Sequence, residues 1–260
     1  MPAMNSPAHV PEWTLVSLRP RGQHASMRRA AWALGGEVIG LSPWALAARD
    51  DPATRAALVT ALGADRVVFT SPSAAQAAGR LAPLAGPHGG TWLAVGAGTA
   101  AALAAQGADV QAPQRMDSEG LLDLPALARV DGLRIALVTA PGGRGLIGPT
   151  LETRGAHLQR VEVYARVPLS PPPRLLQRLR RRPGPWVLAL SSAQALAWLV
   201  AQAPADLLAR LRHSPAVVAS ERLAGLATDA GFARVQVAEG PQPLQLVRAA
   251  HQAVTALPSA

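Results

Sequence analysis

The 260-residue chain is 49% hydrophobic and 16% charged, with a formal net charge of +9, which is a globular composition long enough for one large domain or two small ones. The lack of cysteine excludes disulfides, thiolate nucleophiles and cysteine-held zinc or iron–sulfur clusters. All 25 basic residues are arginine, so neither a Schiff-base lysine nor a phosphate-loop lysine exists.

The opening MPAMNSPAHVPEWTL has no basic stretch followed by an apolar one, so no signal peptide is predicted. The apolar runs are broken by Gly, Pro or polar residues, and none reads as an 18-residue membrane span. The expected compartment is the cytoplasm.

In chain order, residues 13–41 read as a strand, a loop carrying Arg19 and Gln23, an amphipathic helix stopped by glycine, and a second strand. LSPWALAARDDP (41–52) is a proline-containing break. RVVFTSPSAAQAAGRL (66–81) is an apolar strand that runs into Ser71 and Ser73 and then an alanine-rich helix. WLAVGAGTAAALAAQGADV (92–110) is a strand, a small-residue turn at Gly96, a helix bearing Thr99 and stopped at Gly107, and a final strand. Residues 133–164 repeat the strand–helix–strand pattern, with the glycine-rich run PGGRG (141–145) ahead of the helix and Tyr164 at the end of the last strand. ARVPLSPPPRL (165–175) is the most proline-rich stretch and is predicted extended. Arg174, Arg178, Arg180, Arg181 and Arg182 follow as the densest basic run. PWVLALSSAQALAWLV (185–200) is a strand leading into Ser191 and Ser192 and a helix. AVVASERLAGLATDAGFARV (216–235) is a strand, a turn at Ser220 and Arg222, a helix stopped at Gly231, and a strand.

Three of these blocks recur about 120 residues apart: 13–41 resembles 133–164, 66–81 resembles 185–200, and 92–110 resembles 216–235. Short apolar strands alternating with helices predict parallel sheets, here in two similar α/β domains. In open α/β sheets ligands bind beyond the carboxyl ends of the strands. Arg19, Gln23, Ser71, Ser73, Thr99, Thr139, Arg144, Ser191, Ser192, Ser220 and Arg222 all fall there. Two such edges around a central cleft would hold an anion with backbone amides and hydroxyls. The same serines and threonines also serve simply as helix N-caps. Chain order divides the blocks near residue 130, yet the proline-rich stretch lies inside the second set, which hints that the chain crosses between domains twice.

Other chemistry finds little support. The histidines at 9, 24, 88, 157, 213 and 251 lack metal-ligand spacing, and no nucleophile elbow is present. VGAGTAAAL lacks the third glycine of a dinucleotide fingerprint. Few aromatics and no recognition motif argue against nucleic acid as the partner of the basic run. A lone tyrosine is usually a core residue with its hydroxyl at the rim. The residues alone lead to a two-domain α/β protein with a polar cleft for an anionic ligand.

Order and spacing of motifs then point further. Arg19-Pro20 with Gln23, FTSPSA (69–74), VGAGTAAAL (95–103), DSEGLL (117–122), GGRGLIGPTLETRGA (142–156) with VEVYARV (161–167), and VVASERLAGLATDAGF (217–232) together resemble the uroporphyrinogen-III synthase family over roughly residues 13–250. The resemblance implies a discontinuous terminal domain of 1–43 plus 168–260, a central domain of 46–164, and linkers at about 44–45 and 165–167. Fourteen arginines and six acids would then fall in the terminal domain. It implies a monomeric, cofactor-free and metal-free lyase that cyclises hydroxymethylbilane, a linear tetrapyrrole octacarboxylate, with inversion of the last ring through a spiro intermediate. Tyr164 matches the family tyrosine proposed to help the hydroxyl leave. Arg19, Ser71, Ser73, Gly96, Thr99, Arg144, Ser191, Ser192, Ser220 and Arg222 would bind substrate. Two departures stand out: Thr139-Ala140-Pro141 replaces an Arg-Gly, and Leu223 replaces a threonine. The competing reading is a non-catalytic, two-lobed binder of an anionic small molecule.

Overall fold

The computed structural model describes residues 11–86, 89–141 and 145–257. By its internal contacts the chain falls into two units, Met1–Ala45 with Pro168–Ala260, and Leu46–Val167. The first unit opens with β1 (Trp13–Ser17), α1 (Ala25–Trp32) and β2 (Gly36–Gly40). β3 (Trp44–Ala48) follows. The second unit holds α2 (Pro52–Leu62), β4 (Arg66–Phe69), α3 (Pro72–Leu81), β5 (Thr91–Ala94) and α4 (Ala97–Ala104). It continues through short helices α5 (Ser118–Leu122) and α6 (Pro125–Ala128) to β6 (Arg134–Thr139), α7 (Ile147–Thr153) and β7 (His157–Glu162). β8 (Tyr164–Pro168) pairs with β3 in a two-stranded sheet. The first unit is completed by α8 (Pro173–Arg181), β9 (Trp186–Leu190), α9 (Ala193–Gln202), α10 (Ala205–His213), β10 (Ala216–Val218), α11 (Glu221–Asp229), β11 (Val235–Val237) and α12 (Pro243–Thr255).

Both units are α/β with parallel sheets. The first sheet runs β11-β10-β9-β1-β2 and the second β5-β4-β6-β7, every pair parallel. A parallel bridge from Leu93 to Gln111 extends the second sheet beyond β5. The recurring blocks therefore occupy matching places. β1–α1–β2 corresponds to β6–α7–β7, β9–α9 to β4–α3, and β10–α11 to β5–α4. The spatial order is shared while the chain order is permuted: the first unit begins with the block that ends the second.

Local chemistry accounts for the elements. β1 and β9 are buried at every position, as central strands covered on both faces require. On β4, Val67 and Phe69 face one side with Trp92, Leu103 and the alanines of α3, while Val68 faces the other with Leu93, Leu121 and Leu151. Fully burying a side chain such as Phe69 contributes about 1.5–3 kcal/mol. Helices start on side-chain caps at Asp51, Ser71, Asp117 and Ser192. Gly107 and Gly231 follow α4 and α11 at φ 80° and 87°, the left-handed conformation that ends a helix without a Cβ clash.

Three local expectations change. The proline-containing break at 41–52 includes β3, because Trp44–Ala48 finds a pairing partner in β8. The extended stretch after 165 ends earlier than predicted, because Pro173 takes the first-turn position of α8, where a missing N–H costs nothing. The strand predicted before residue 110 shrinks to the single bridge at Gln111. Among the described residues, no helix is long and apolar enough to cross a membrane.

Candidate functional site

Parallel pairing brings the carboxyl ends of the strands to one edge of each sheet. In the second unit, β4 ends into Thr70 and Ser71, β5 into Val95 and Gly96, and β6 at Thr139. A cavity of about 470 Å³ opens there, between the start of α5 and the start of α7, with Tyr164, Arg160 and Arg166 on its wall.

Several of the cavity's polar groups are hydrogen-bonded in short runs. The Tyr164 hydroxyl lies 3.2 Å from Ser71 Oγ, and Ser71 Oγ accepts the Ala74 amide at 3.1 Å as the N-cap of α3. The Thr70 hydroxyl donates to Thr139 Oγ1 at 2.9 Å. Arg160 donates through Nη2 to the Ala140 carbonyl at 2.9 Å and pairs through Nε with Glu162 at 3.4 Å. Glu162 is shared with Arg49 at 3.2 Å. Tyr164 and Arg166 stand two residues apart on β8, on the same face. The lining offers a phenol, hydroxyls and two guanidinium groups, with the Asp117 and Glu119 carboxylates at the start of α5 also on the wall, which suits a polar ligand whose anionic groups meet the arginine side. Among the described residues, no three His, Asp or Glu side chains converge as a metal-binding group.

The first unit builds a second polar rim. Arg19 follows β1, Ser191 and Ser192 follow β9, and Ser220 follows β10. The pairings Ser17 with Ala189 and Val218 with Leu190 place these strand ends side by side. Arg19 is half-buried, its Nε donates to the Gln23 carbonyl at 3.0 Å, and burial lowers its pKa. Beneath this loop His24 is only 4% exposed. Its Nδ1 lies 3.1 Å from Ser17 Oγ and its Nε2 2.9 Å from Ser42 Oγ. A Cβ on Gly40 would overlap the imidazole, so glycine makes room for it. Burial, with the Arg28 and Arg19 charges behind it, lowers the His24 pKa to about 4 and keeps the ring neutral.

The predicted residues separate accordingly. Ser71 and Tyr164 meet at the cavity. Tyr164 begins β8 rather than ending the preceding strand, because the chain breaks pairing with β6 after Glu162 and turns to β3. Gly96 is the N-cap of α4 and abuts Met116, which lines the cavity. Ser73 lies half-buried in the first turn of α3, and Thr99 is buried in α4 at 4% exposure. Ser192 caps α9 by accepting the Ala195 amide at 3.4 Å. Ser220 occupies the N-cap position of α11 and, like Ser191 and Arg222, is exposed. Arg144 lies outside the described residues, with most of the glycine-rich run.

Sequence reasoning missed Arg160, Arg166 and His24. Arg166 carries a readable signal, being two residues past Tyr164 in a strand. Arg160 does not, because its place depends on β7 pairing with β6. His24 is invisible in spacing alone, since Ser17 and Ser42 reach it from different elements.

Residues 25–248 match the family model described as HEM4, uroporphyrinogen-III synthase HemD. A uroporphyrinogen-III synthase of Salmonella typhimurium is 34% identical over 198 residues, covering 74% of this chain and 77% of that protein. One from Escherichia coli is 35% identical over 162 residues, covering 61% and 65%. Among solved structures, a mutant uroporphyrinogen III synthase from Thermus thermophilus superposes with a TM-score of 0.55 at 21% identity, covering 93% of this chain and 98% of that one. A Helicobacter pylori uroporphyrinogen-III synthetase gives 0.55 at 12% identity, covering 88% and 93%. At these identities the structural likenesses speak for the fold.

Proposed function

The chain belongs to the uroporphyrinogen-III synthase family of tetrapyrrole biosynthesis, and from that premise we propose how its own residues carry the reaction. The substrate is hydroxymethylbilane, a linear tetrapyrrole with eight carboxylates, and the enzyme is a cytoplasmic, monomeric lyase working without a cofactor. The observation that carries this reading is the 470 Å³ cavity, where the only tyrosine of the chain lies beside hydroxyls and two arginines.

Tyr164 acts on the departing hydroxyl. As the C–O bond breaks, its electron pair goes to oxygen and the phenolic proton follows, giving water. The pyrrolic cation left behind attacks the substituted carbon of the last ring to form a spiro intermediate. Fragmentation and reclosure then invert that ring, and the proton the substrate sheds on closure restores the phenol. A well-placed acid contributes about 10²–10⁴-fold. Arg160 and Arg166 take carboxylates near that ring through charge-assisted bonds. Arg19, Ser73, Ser191, Ser192, Ser220 and Arg222 present further donors, and Gly96 lets a carboxylate approach the backbone amides at the start of α4. Arg144 has the same role in this reading. Holding a flexible chain in one fold supplies the rest, since favourable positioning can lower a barrier by about 7–11 kcal/mol.

Steady-state kinetics of Arg166→Gln and Arg160→Gln test the placement. Losing one charge-assisted bond should raise KM roughly tenfold with kcat little changed. Unchanged KM in both variants would move the carboxylate site away from this cavity.

A further inference from the structure

We propose that Ser71 is a positioning residue for Tyr164, fixing the direction in which the phenolic proton points. The inference rests on the role given to Tyr164 above. A serine hydroxyl has one proton to donate and two lone pairs to accept with. At Ser71 one lone pair takes the Ala74 amide at 3.1 Å, as the first bond of α3 requires. Among the described residues, its other hydrogen-bond neighbour is the Tyr164 hydroxyl at 3.2 Å.

Two hydrogen arrangements satisfy that contact. If Tyr164 donates, its proton is held inside the protein. If Ser71 donates, the phenol oxygen is occupied as acceptor and its proton is left to face the cavity. Only the second arrangement lets Tyr164 give its proton to a departing hydroxyl. It is also the one that the helix end favours. A chain from the Ala74 N–H through Ser71 Oγ–H to Tyr164 Oη–H has each group donating onward, and each bond polarises the next. The chain starts at the positive end of a ten-residue helix, so it strengthens the phenol as a donor and stabilises the phenolate left after proton transfer. Ser71 is well held for this task. Its backbone is extended at φ −162° and ψ 158°, and Pro72 at the first helical position fixes the turn that follows. The serine hydroxyl thus serves the phenol rather than a substrate carboxylate.

A double-mutant cycle tests this, using Ser71→Gly because glycine replaces serine at an N-cap with little loss of stability. The four proteins are wild type, Ser71→Gly, Tyr164→Phe and the double variant, with Ser71→Thr as rescue. Ser71→Gly is expected to lower kcat about tenfold with KM within about twofold, and Ser71→Thr to restore most of it. In the Tyr164→Phe background, Ser71→Gly should change kcat by less than about twofold. Equal losses in both backgrounds would overturn the proposal, because Ser71 would then act independently of the phenol. Unchanged kcat for Ser71→Gly in the wild-type background would overturn it too. Unchanged kcat for Tyr164→Phe alone would instead overturn the tyrosine's catalytic role, and the positioning role with it. If Ser71→Gly melts well below wild type, Ser71→Asp in the same cycle applies the same criteria, because a carboxylate keeps the N-cap bond and has no proton to donate to the phenol.

Discussion

The Thr70 hydroxyl donates to the Thr139 hydroxyl at 2.9 Å, joining the carboxyl ends of β4 and β6 beside the cavity. Thr139 is 7% exposed, and its own proton points toward the Ala140 carbonyl at 3.5 Å. The pair closes the gap between two adjacent strand ends where the ladder stops. Thr139→Val should therefore cost about 1 kcal/mol in urea unfolding, and Thr70→Val with Thr139→Val should cost less together than the sum of the two. Strict additivity would show that the hydroxyls do not act as a pair.

His24 makes a pH-dependent contribution whose sign follows from its environment. The imidazole faces Ser17 and Ser42, with Arg19 and Arg28 as the nearby charges. Its folded pKa of about 4 lies below the ordinary histidine value of 6.5, so the unfolded chain takes up the proton first as pH falls. The stabilising preference for the neutral ring is complete above about pH 6.5 and lost progressively down to about pH 4. The loss amounts to something on the order of 3 kcal/mol. Chemical denaturation across this range should give a shallower slope for His24→Gln than for wild type. Parallel slopes would contradict the assignment.

Gly36 and Trp13 are partners across β1 and β2. The indole Nε1 donates to the Leu34 carbonyl at 2.9 Å, which locks the ring over Gly36. A Cβ at position 36 would overlap that ring. Gly36→Ala should cost about 1–3 kcal/mol, read as a lowered urea midpoint with quenching or shift of tryptophan fluorescence. A midpoint equal to wild type would mean that the indole moves aside freely.

Tyr164→Phe keeps the ring and removes only the hydroxyl. We expect kcat to fall by about 10²-fold or more, with the melting midpoint within about 3 °C of wild type. Wild-type turnover would return Tyr164 to a packing role.

The fold was largely legible because it is written twice. Each repeated block pairs an apolar strand with a helix, and parallel βαβ units follow from that pattern. The permutation was only hinted at, through the misplaced proline-rich stretch, since chain order does not record which strands become neighbours. At the site, Ser71 and Tyr164 were readable as a cap and a lone tyrosine, but their meeting depends on β8 leaving the β6–β7 sheet to pair with β3. Arg160 and His24 owe their settings to partners far along the chain or in other elements, which no local pattern reveals.

The most direct test of the central claim is the isomer formed from hydroxymethylbilane by the purified protein. If the polar rims select one folded conformation of the substrate, the product is the ring-inverted uroporphyrinogen III, formed faster than the spontaneous reaction. Only the uninverted isomer, appearing at the spontaneous rate, would contradict it.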